Sequence, residues 1–205
     1  MNTPPLIWAN VLFFTLTFIA AIILVPLYGV MIGYSSTTWW AFIACMFFAG
    51  LSITAGYHRL WAHKTYEAHP VIECVFAIGG AFAMQNSALH WSSDHRIHHG
   101  QVDDPAKDPY AATNGFWYSH IGWMLRNYQG DQYGNYNNAR DLQKNKIVMW
   151  QHKYYLLLTI AMNFGVPILF GLWHGDVINS LLLLGFLRLV LSHHTTFFIN
   201  SFVRS

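Results

Sequence analysis

The distribution of charged side chains constrains this sequence more than any other feature, because residues 1–57 contain no Asp, Glu, Lys or Arg. Only 10% of the whole chain carries these charges, against about 25% in an ordinary soluble domain. Four segments are mostly apolar over about the 20 residues that a membrane-spanning helix needs, and they cover residues 6–34, 38–57, 154–173 and 177–200. The sequence therefore predicts an all-α integral membrane protein with four transmembrane helices in two hairpins.

The charged residues that do occur are concentrated in the middle of the chain, between His58 and Lys153. We therefore expect a transmembrane hairpin over residues 1–57, a histidine-rich cytoplasmic or interfacial region over residues 58–153, and a second hairpin over residues 154–205. Because Lys and Arg favour the cytoplasmic side, the middle region and both termini are predicted to face the cytoplasm. Acids and bases alternate within a net charge of +2, which disfavours nucleic acid as a partner.

A fifth apolar run covers residues 71–89 but contains Glu73, Gln85 and Asn86. If this run crossed the bilayer, the histidines before it and those after it would lie on opposite sides, and no site could contain both groups. We therefore expect that the run does not cross. Residues 115–128 mix aromatic and polar side chains at helical spacing, which is typical of a helix in the headgroup region.

Two histidine clusters follow the second apolar segment: His58 and His63 at HxxxxH spacing, then His95, His98 and His99 at HxxHH spacing. On a helix, His95 shares a face with His98 or His99, whereas the adjacent pair diverges toward two ions. Five residues of α-helix turn through about 140°, so His58 and His63 either serve different ions or have a helix end between them. Imidazoles without thiolates suit iron, copper, nickel or zinc. The clusters therefore predict a binuclear metal site.

Four segments carry a specific resemblance: GYHRLWAH at 56–63, QNSALHWSSDHRIHHG at 85–100, DDPAKDPY at 103–110 and GFWYSHIGWM at 115–124. They are similar to the membrane-bound fatty acyl desaturases, particularly the bacterial and animal Δ9 acyl-CoA type. The resemblance implies two iron ions held by nine histidines, and O2-dependent insertion of a cis double bond into a saturated acyl chain. It also implies acyl-CoA or another acyl carrier as substrate, and a ferredoxin-, rubredoxin- or cytochrome b5-like electron donor. The expected location is a bacterial inner membrane, with the active site on the cytoplasmic side.

Position by position, the resemblance implies a set of site residues. The expected iron ligands are His58, His63, His95, His98 and His99, with Asn200 acting through water. The expected substrate-binding residues are Gln85, Trp91 and Thr196 at the bend of the acyl tunnel, and Asn86 and Asp94 near the CoA head group. His120 is the expected outer hydrogen-bond partner of a metal-bound imidazole. His193 and His194 are expected to pack or form hydrogen bonds, and Arg188 to face the helix bundle or a polar partner.

The chain departs from the family pattern at its C-terminal end. Family members continue with a further histidine and a third HxxHH box, whereas here Arg204 stands at that histidine position and the sequence given ends at Ser205. We therefore expect a chain truncated before the third box, which alone binds fewer than two irons and does not desaturate. Two alternatives stay open: a related histidine-box hydroxylase, and an acyl-lipid-binding membrane protein that keeps the fold without catalysis.

Overall fold

The computed structural model describes residues 4–130 and 133–202, and within them regular secondary structure is helical, as predicted. Seven of the helices are labelled in chain order, and an eighth covers residues 116–125. They are α1 (Trp8–Met31), α2 (Ser36–Ala62), α3 (Pro70–Ala83), α4 (Ala88–Gly100), α5 (Lys146–Lys153), α6 (Tyr155–His174) and α7 (Val177–Phe202). Four of them, α1, α2, α6 and α7, are long and apolar enough to span a membrane. The predicted all-α membrane fold with four spans is confirmed, while Arg204 lies outside the described residues.

The two helical hairpins meet through their turns. Ser35, which caps the start of α2, lies with its Oγ 2.8 Å from His174 Nε2 at the end of α6. Tyr28 of α1 donates a hydrogen bond from its hydroxyl to the carboxylate of Asp176, which caps the start of α7. These contacts place both turns at one end of the bundle. The C-terminal ends of α2 and α7 therefore lie at the opposite end.

Helix α3 packs directly against the second half of α2 because two adjacent glycines remove the side chains between them. A Cβ at Gly79 would overlap the hydroxyl of Ser52, and one at Gly80 would overlap the ring of Tyr57. Tyr57 is fully buried, donates from its hydroxyl to the Asn86 carbonyl at 3.1 Å, and accepts a hydrogen bond from Gln151 of α5. The glycine pair thus fixes how close α3 and the turn after it lie to α2.

Helices α3 and α4 form a re-entrant pair with a bend of 81° between them. Residues 84–87, which we call the hairpin tip, contain two non-glycine residues in the left-handed region, Met84 at φ 55° and Asn86 at φ 72°. After the tip, α4 runs back until His95 Nε2 lies 3.0 Å from His63 Nε2, just beyond the end of α2. The run 71–89 therefore returns to the side from which it enters, in agreement with the prediction that it does not cross.

The predicted interfacial segment is also helical, over residues 116–125. It is joined to the N-terminal end of α1 by backbone hydrogen bonds, from Ile7 N to Leu125 O at 2.9 Å and from Asn127 N to Pro5 O at 3.0 Å. This pairing connects the first membrane helix to the middle region of the chain.

Candidate metal centre

The first two histidines lie on one face because α2 ends in a π-helix, Ser52–Ala62. The amide of His63 donates to the carbonyl of His58 at 2.9 Å, a bond between residues five apart in sequence. In this winding their ring centroids lie 4.4 Å apart, instead of being separated by the 140° turn of an α-helix. The helix also ends at Ala62, between the two histidines, as one of the two alternatives predicts. The other alternative, that they must serve different ions, does not follow from this geometry.

Helix α4 contributes the next two imidazoles. His95 Nε2 lies 3.0 Å from His63 Nε2 and 3.1 Å from His99 Nε2. One ligand nitrogen from each of His58, His63, His95 and His99 lies within 4.8 Å of the others. Two nitrogens that bind one ion at about 2.1 Å and at right angles would be about 3.0 Å apart, so these residues fit a shared metal. We call these four residues the histidine cluster.

The surroundings of His95 favour the uncharged imidazole that a metal requires. Burial, together with the neighbouring rings of His58, His99 and His63, lowers the pKa of His95 to about 2. Trp91, one turn earlier on α4, stacks on His95 with 4.7 Å between the ring centroids. The lone pair of His95 is therefore available for a metal over the whole physiological pH range.

His98 lies beside the histidine cluster and contacts a carboxylate, while the predicted divergence of His98 and His99 toward two ions stays a prediction. Its Nδ1 is 2.7 Å and 2.8 Å from the two carboxylate oxygens of Asp108, and both residues are buried. The same carboxylate accepts from the amides of Asp103 and Tyr110 at 3.0 Å and 3.1 Å. When Nδ1 donates to Asp108, the lone pair of His98 is on Nε2, which is the arrangement of a metal-binding histidine oriented by a carboxylate.

The Asp108→Asn variant tests this orientation. The amide keeps the shape of the side chain but removes the negative charge and half of its acceptor oxygens, so His98 loses its fixed tautomer. We expect metal affinity to fall about 10- to 100-fold, the usual cost of losing such a partner. Titration of the purified protein with Co²⁺, followed by absorbance, measures it. The Asp104→Asn variant, in the same loop, is the matched control, and an equal loss there would contradict the assignment.

Arg96 connects the two histidine-bearing helices, and the sequence analysis missed this role. From α4 it donates to the carbonyls of Trp61 and Ala62 at the end of α2, at 2.7 Å and 3.1 Å. It also pairs with Asp141 at 2.7 Å, and Arg96 holds the pKa of that carboxyl well below its usual range. The only signal in the sequence is its position beside His95, since backbone carbonyls leave no residue-specific pattern.

Of the residues expected to bind the acyl-CoA substrate, two contact each other and a third lines a pocket. Gln85 at the hairpin tip donates from Nε2 to Thr196 Oγ1 of α7 at 2.8 Å. The carboxylate of Asp94 lies 3.3 Å from His90 Nε2, and Asp94 lines a polar surface pocket of about 470 Å³ together with Lys107, Tyr118 and Gln129. The structure thus brings Gln85 and Thr196 into contact and leaves Asp94 on a separate polar surface.

His120 and Asn200 belong to a different group of contacts. The hydrogen bonds described for the buried His120 are to His194 Nδ1 at 3.0 Å and Ser201 Oγ at 2.9 Å, both on α7. Asn200 lies in the last turns of α7, next to Ser201 and at the same end of the bundle as the histidine cluster. The expected roles of His120 and Asn200 stay predictions. His193 and Arg188 are buried and hydrogen-bonded, as predicted.

Most of this chain is similar to one family of known proteins. Residues 37–203 match the family model described as fatty acid desaturase. The chain is 43% identical over 155 residues to a probable acyl-CoA desaturase of Schizosaccharomyces pombe, a match that covers 75% of this chain and 32% of that protein. It is 34% identical over 206 residues to an acyl-CoA desaturase of Cyprinus carpio, covering 97% and 61%, and 34% identical over 203 residues to stearoyl-CoA desaturase 5 of Homo sapiens, covering 96% and 59%. The chain thus spans about a third to three fifths of the length of these relatives.

Proposed function

The chain belongs to the fatty acid desaturase family, and from this premise we propose that it is a membrane fatty acyl desaturase acting on acyl-CoA. The proposed reaction removes two hydrogens from neighbouring carbons of a saturated chain, at Δ9 by resemblance, and leaves a cis double bond. One O2 accepts these hydrogens, with two electrons from a donor protein and two protons, and becomes two waters. Two iron ions bound by the histidines would supply the oxidation of an unactivated C–H bond that no side chain performs unaided.

The observation that carries this proposal is the convergence of the histidine cluster at one end of an apolar helix bundle. Its imidazoles come from helices that the chain brings together through a re-entrant pair, and no cysteine belongs to the cluster. We propose that the iron is held by these four residues, by His98 through its Nε2, and by Asn200 through a water molecule. Imidazole nitrogens suit iron, and five histidines exceed what one ion needs.

The chain's own residues suggest how the acyl chain is held. We propose that it extends from the histidine cluster along α4 toward the hairpin tip. Trp91, stacked on His95, would position the reacting carbons and exclude water from them. The Gln85–Thr196 hydrogen bond would close the far end and set the bend. Tyr57, 6.0 Å from Trp91 between ring centroids, supports the wall from behind.

The carrier is proposed to bind at the polar pocket beside Asp94. The ammonium of Lys107 is 64% exposed in its side chain and lies 3.7 Å from the Asp104 carboxylate, a long contact that phosphate groups would compete for. Asn114 and Gln129 line the same pocket. Asp94 and Asn86 are proposed to hold the part of the carrier that enters the bundle. A phosphate-rich head group on this surface and an apolar chain below it match the two ends of acyl-CoA.

We also propose that residues 58–153 form the cytoplasmic or interfacial region between the two hairpins, and that the membrane is a bacterial inner membrane.

In a variant without Cys45 and Cys74, Gly175→Cys is expected to react with a membrane-impermeant maleimide in intact cells, because it lies in an exposed turn at the opposite end. Asn135→Cys is expected to react only after permeabilisation. Labelling of Asn135→Cys in intact cells would reverse the topology.

The activity is tested with the complete open reading frame that encodes this chain, expressed in a host without its own Δ9 desaturase. We expect a monounsaturated fatty acid in the cellular lipids, and none from the His95→Ala variant. A hydroxylated product would favour the related hydroxylase. Binding of stearoyl-CoA by the purified, iron-loaded protein with no product would favour an acyl-lipid-binding protein and contradict desaturation.

A further inference from the structure

The backbone carbonyls at the C-terminal end of α3 need hydrogen-bond partners that the metal centre does not provide. A helix leaves its last carbonyls without intrahelical partners. In a membrane no water is present to satisfy them, so irregular backbone is tolerated only where the protein supplies the missing bonds. Helix α3 ends at Ala83, inside the bundle, and the non-helical tip follows at once.

Three buried side chains from the second hairpin donate to carbonyls at this end of α3. Asn163 of α6 donates to Ala81 O at 3.3 Å, beside the Met84 amide, which donates to the same carbonyl at 3.2 Å. On α7, Arg188 donates to Phe82 O at 2.6 Å, and His193 Nε2 lies 3.1 Å and 3.0 Å from the carbonyls of Ala83 and Met84. We call Asn163, Arg188 and His193 the carbonyl cap.

The position of Arg188 at the C-terminal end of α3 accounts for its positive charge. No other role described for this residue does so. Arg188 is fully buried and lies about 17 Å along α7 from Val177, near the middle of a bilayer core of about 30 Å. A charge there is costly, and none of the ion pairs within residues 4–130 and 133–202 includes it. Its guanidinium lies 3.8 Å from the ring centroid of Phe82 and contacts the negative end of the α3 dipole.

The strained backbone of the hairpin tip also needs stabilising contacts from other helices. Met84 and Asn86 both occupy the left-handed region that side chains disfavour, and such strain persists only where the surroundings fix it. Gln85 stands between them, and its amide reaches Thr196, less than one turn of α7 beyond His193. The cap and the Gln85 contact therefore come from one stretch of α7.

We infer that Arg188, with Asn163 and His193, is a positioning residue that fixes how deep the hairpin tip lies, and through Gln85 selects which acyl carbon reaches the metal. This inference rests on the proposed function. None of the three residues touches the histidine cluster in the described contacts, so their effect on the acyl chain passes through the tip.

The test is backbone hydrogen–deuterium exchange of the full chain in lipid nanodiscs, with and without stearoyl-CoA. In Arg188→Gln, which keeps a donor but removes the charge and two of the contacts, we expect exchange in peptides covering residues 80–88 to rise at least tenfold. Arg188→Lys is expected to restore part of the protection, and His193→Gln to raise exchange less than Arg188→Gln. The matched control is Leu183→Ala, an equally buried position on α7 that packs against α1 and α2, where the tip is expected to stay protected.

Stearoyl-CoA separates this inference from the proposed function. In the unmodified protein the ligand is expected to protect residues 80–88 further, and in Arg188→Gln this added protection is expected to be lost. The inference would be overturned if deuterium exchange at residues 80–88 were unchanged in Arg188→Gln, or if it rose equally in Leu183→Ala. The proposed function would still stand if stearoyl-CoA protected these residues in the unmodified protein. Absence of ligand protection in the unmodified protein would overturn the proposed function and the selection of the acyl carbon with it.

Discussion

Replacing His95 by alanine is expected to weaken metal binding by more than about 100-fold, beyond what the loss of an outer hydrogen-bond partner causes. His95 Nε2 is the nitrogen that lies within 3.1 Å of two other ligand nitrogens, so its removal leaves the remaining rings without a common centre. Burial lowers the pKa of His95, so this imidazole is uncharged at neutral pH, where the loss is expected. Metal analysis of the purified protein and Co²⁺ titration measure it.

The control for this variant is His174→Ala. His174 contacts Ser35 at the opposite end of the bundle, so this substitution removes one imidazole but leaves the histidine cluster unchanged. Both variants are expected to keep the thermal unfolding midpoint within a few degrees of the parent. If His174→Ala lost as much metal as His95→Ala, the metal would have to lie elsewhere.

The Gly80→Ala variant is expected to destabilise the protein by about 3 kcal/mol, at the upper end of the usual cost of overpacking a core. The added methyl group would overlap the ring of Tyr57, which is fully buried and cannot turn away without breaking its bond to the Asn86 carbonyl. Helix α3 must then move off α2 and take the hairpin tip with it. Thermal or denaturant unfolding in detergent, followed by tryptophan fluorescence, gives the change in free energy of unfolding.

Gly50→Ala provides the comparison, since Gly50 is also helical but has no atom within 4 Å of the position that a Cβ would occupy. Alanine is favoured over glycine in helices by about 1 kcal/mol, so this variant is expected to be neutral or more stable. A Gly80→Ala protein as stable as Gly50→Ala would show that α2 and α3 are not in close contact.

Hydropathy and histidine spacing were enough to predict the four spans, the return of the run 71–89 and the four histidines that cluster, while the ligand roles of His98 and Asn200 stay predictions. The π-helical winding before His63 was not predictable in this way, because a change of hydrogen-bond register leaves no change in composition. Arg188 was predictable as a buried residue, since a charge in an apolar run cannot face lipid cheaply. Its acceptor was not, because Phe82 contributes a backbone carbonyl, which every residue type carries.

The carbonyl cap also has a consequence for biogenesis. Its contacts join residues that are 82, 106, 109 and 110 positions apart in the sequence. A nascent chain emerges from its N-terminus, so α3 and α4 are complete long before the ribosome has made Asn163, Arg188 and His193. Until then the carbonyls of Phe82, Ala83 and Met84 lack the side-chain partners that they have in the complete fold. Insertion of the second hairpin is therefore expected to precede the final seating of the hairpin tip.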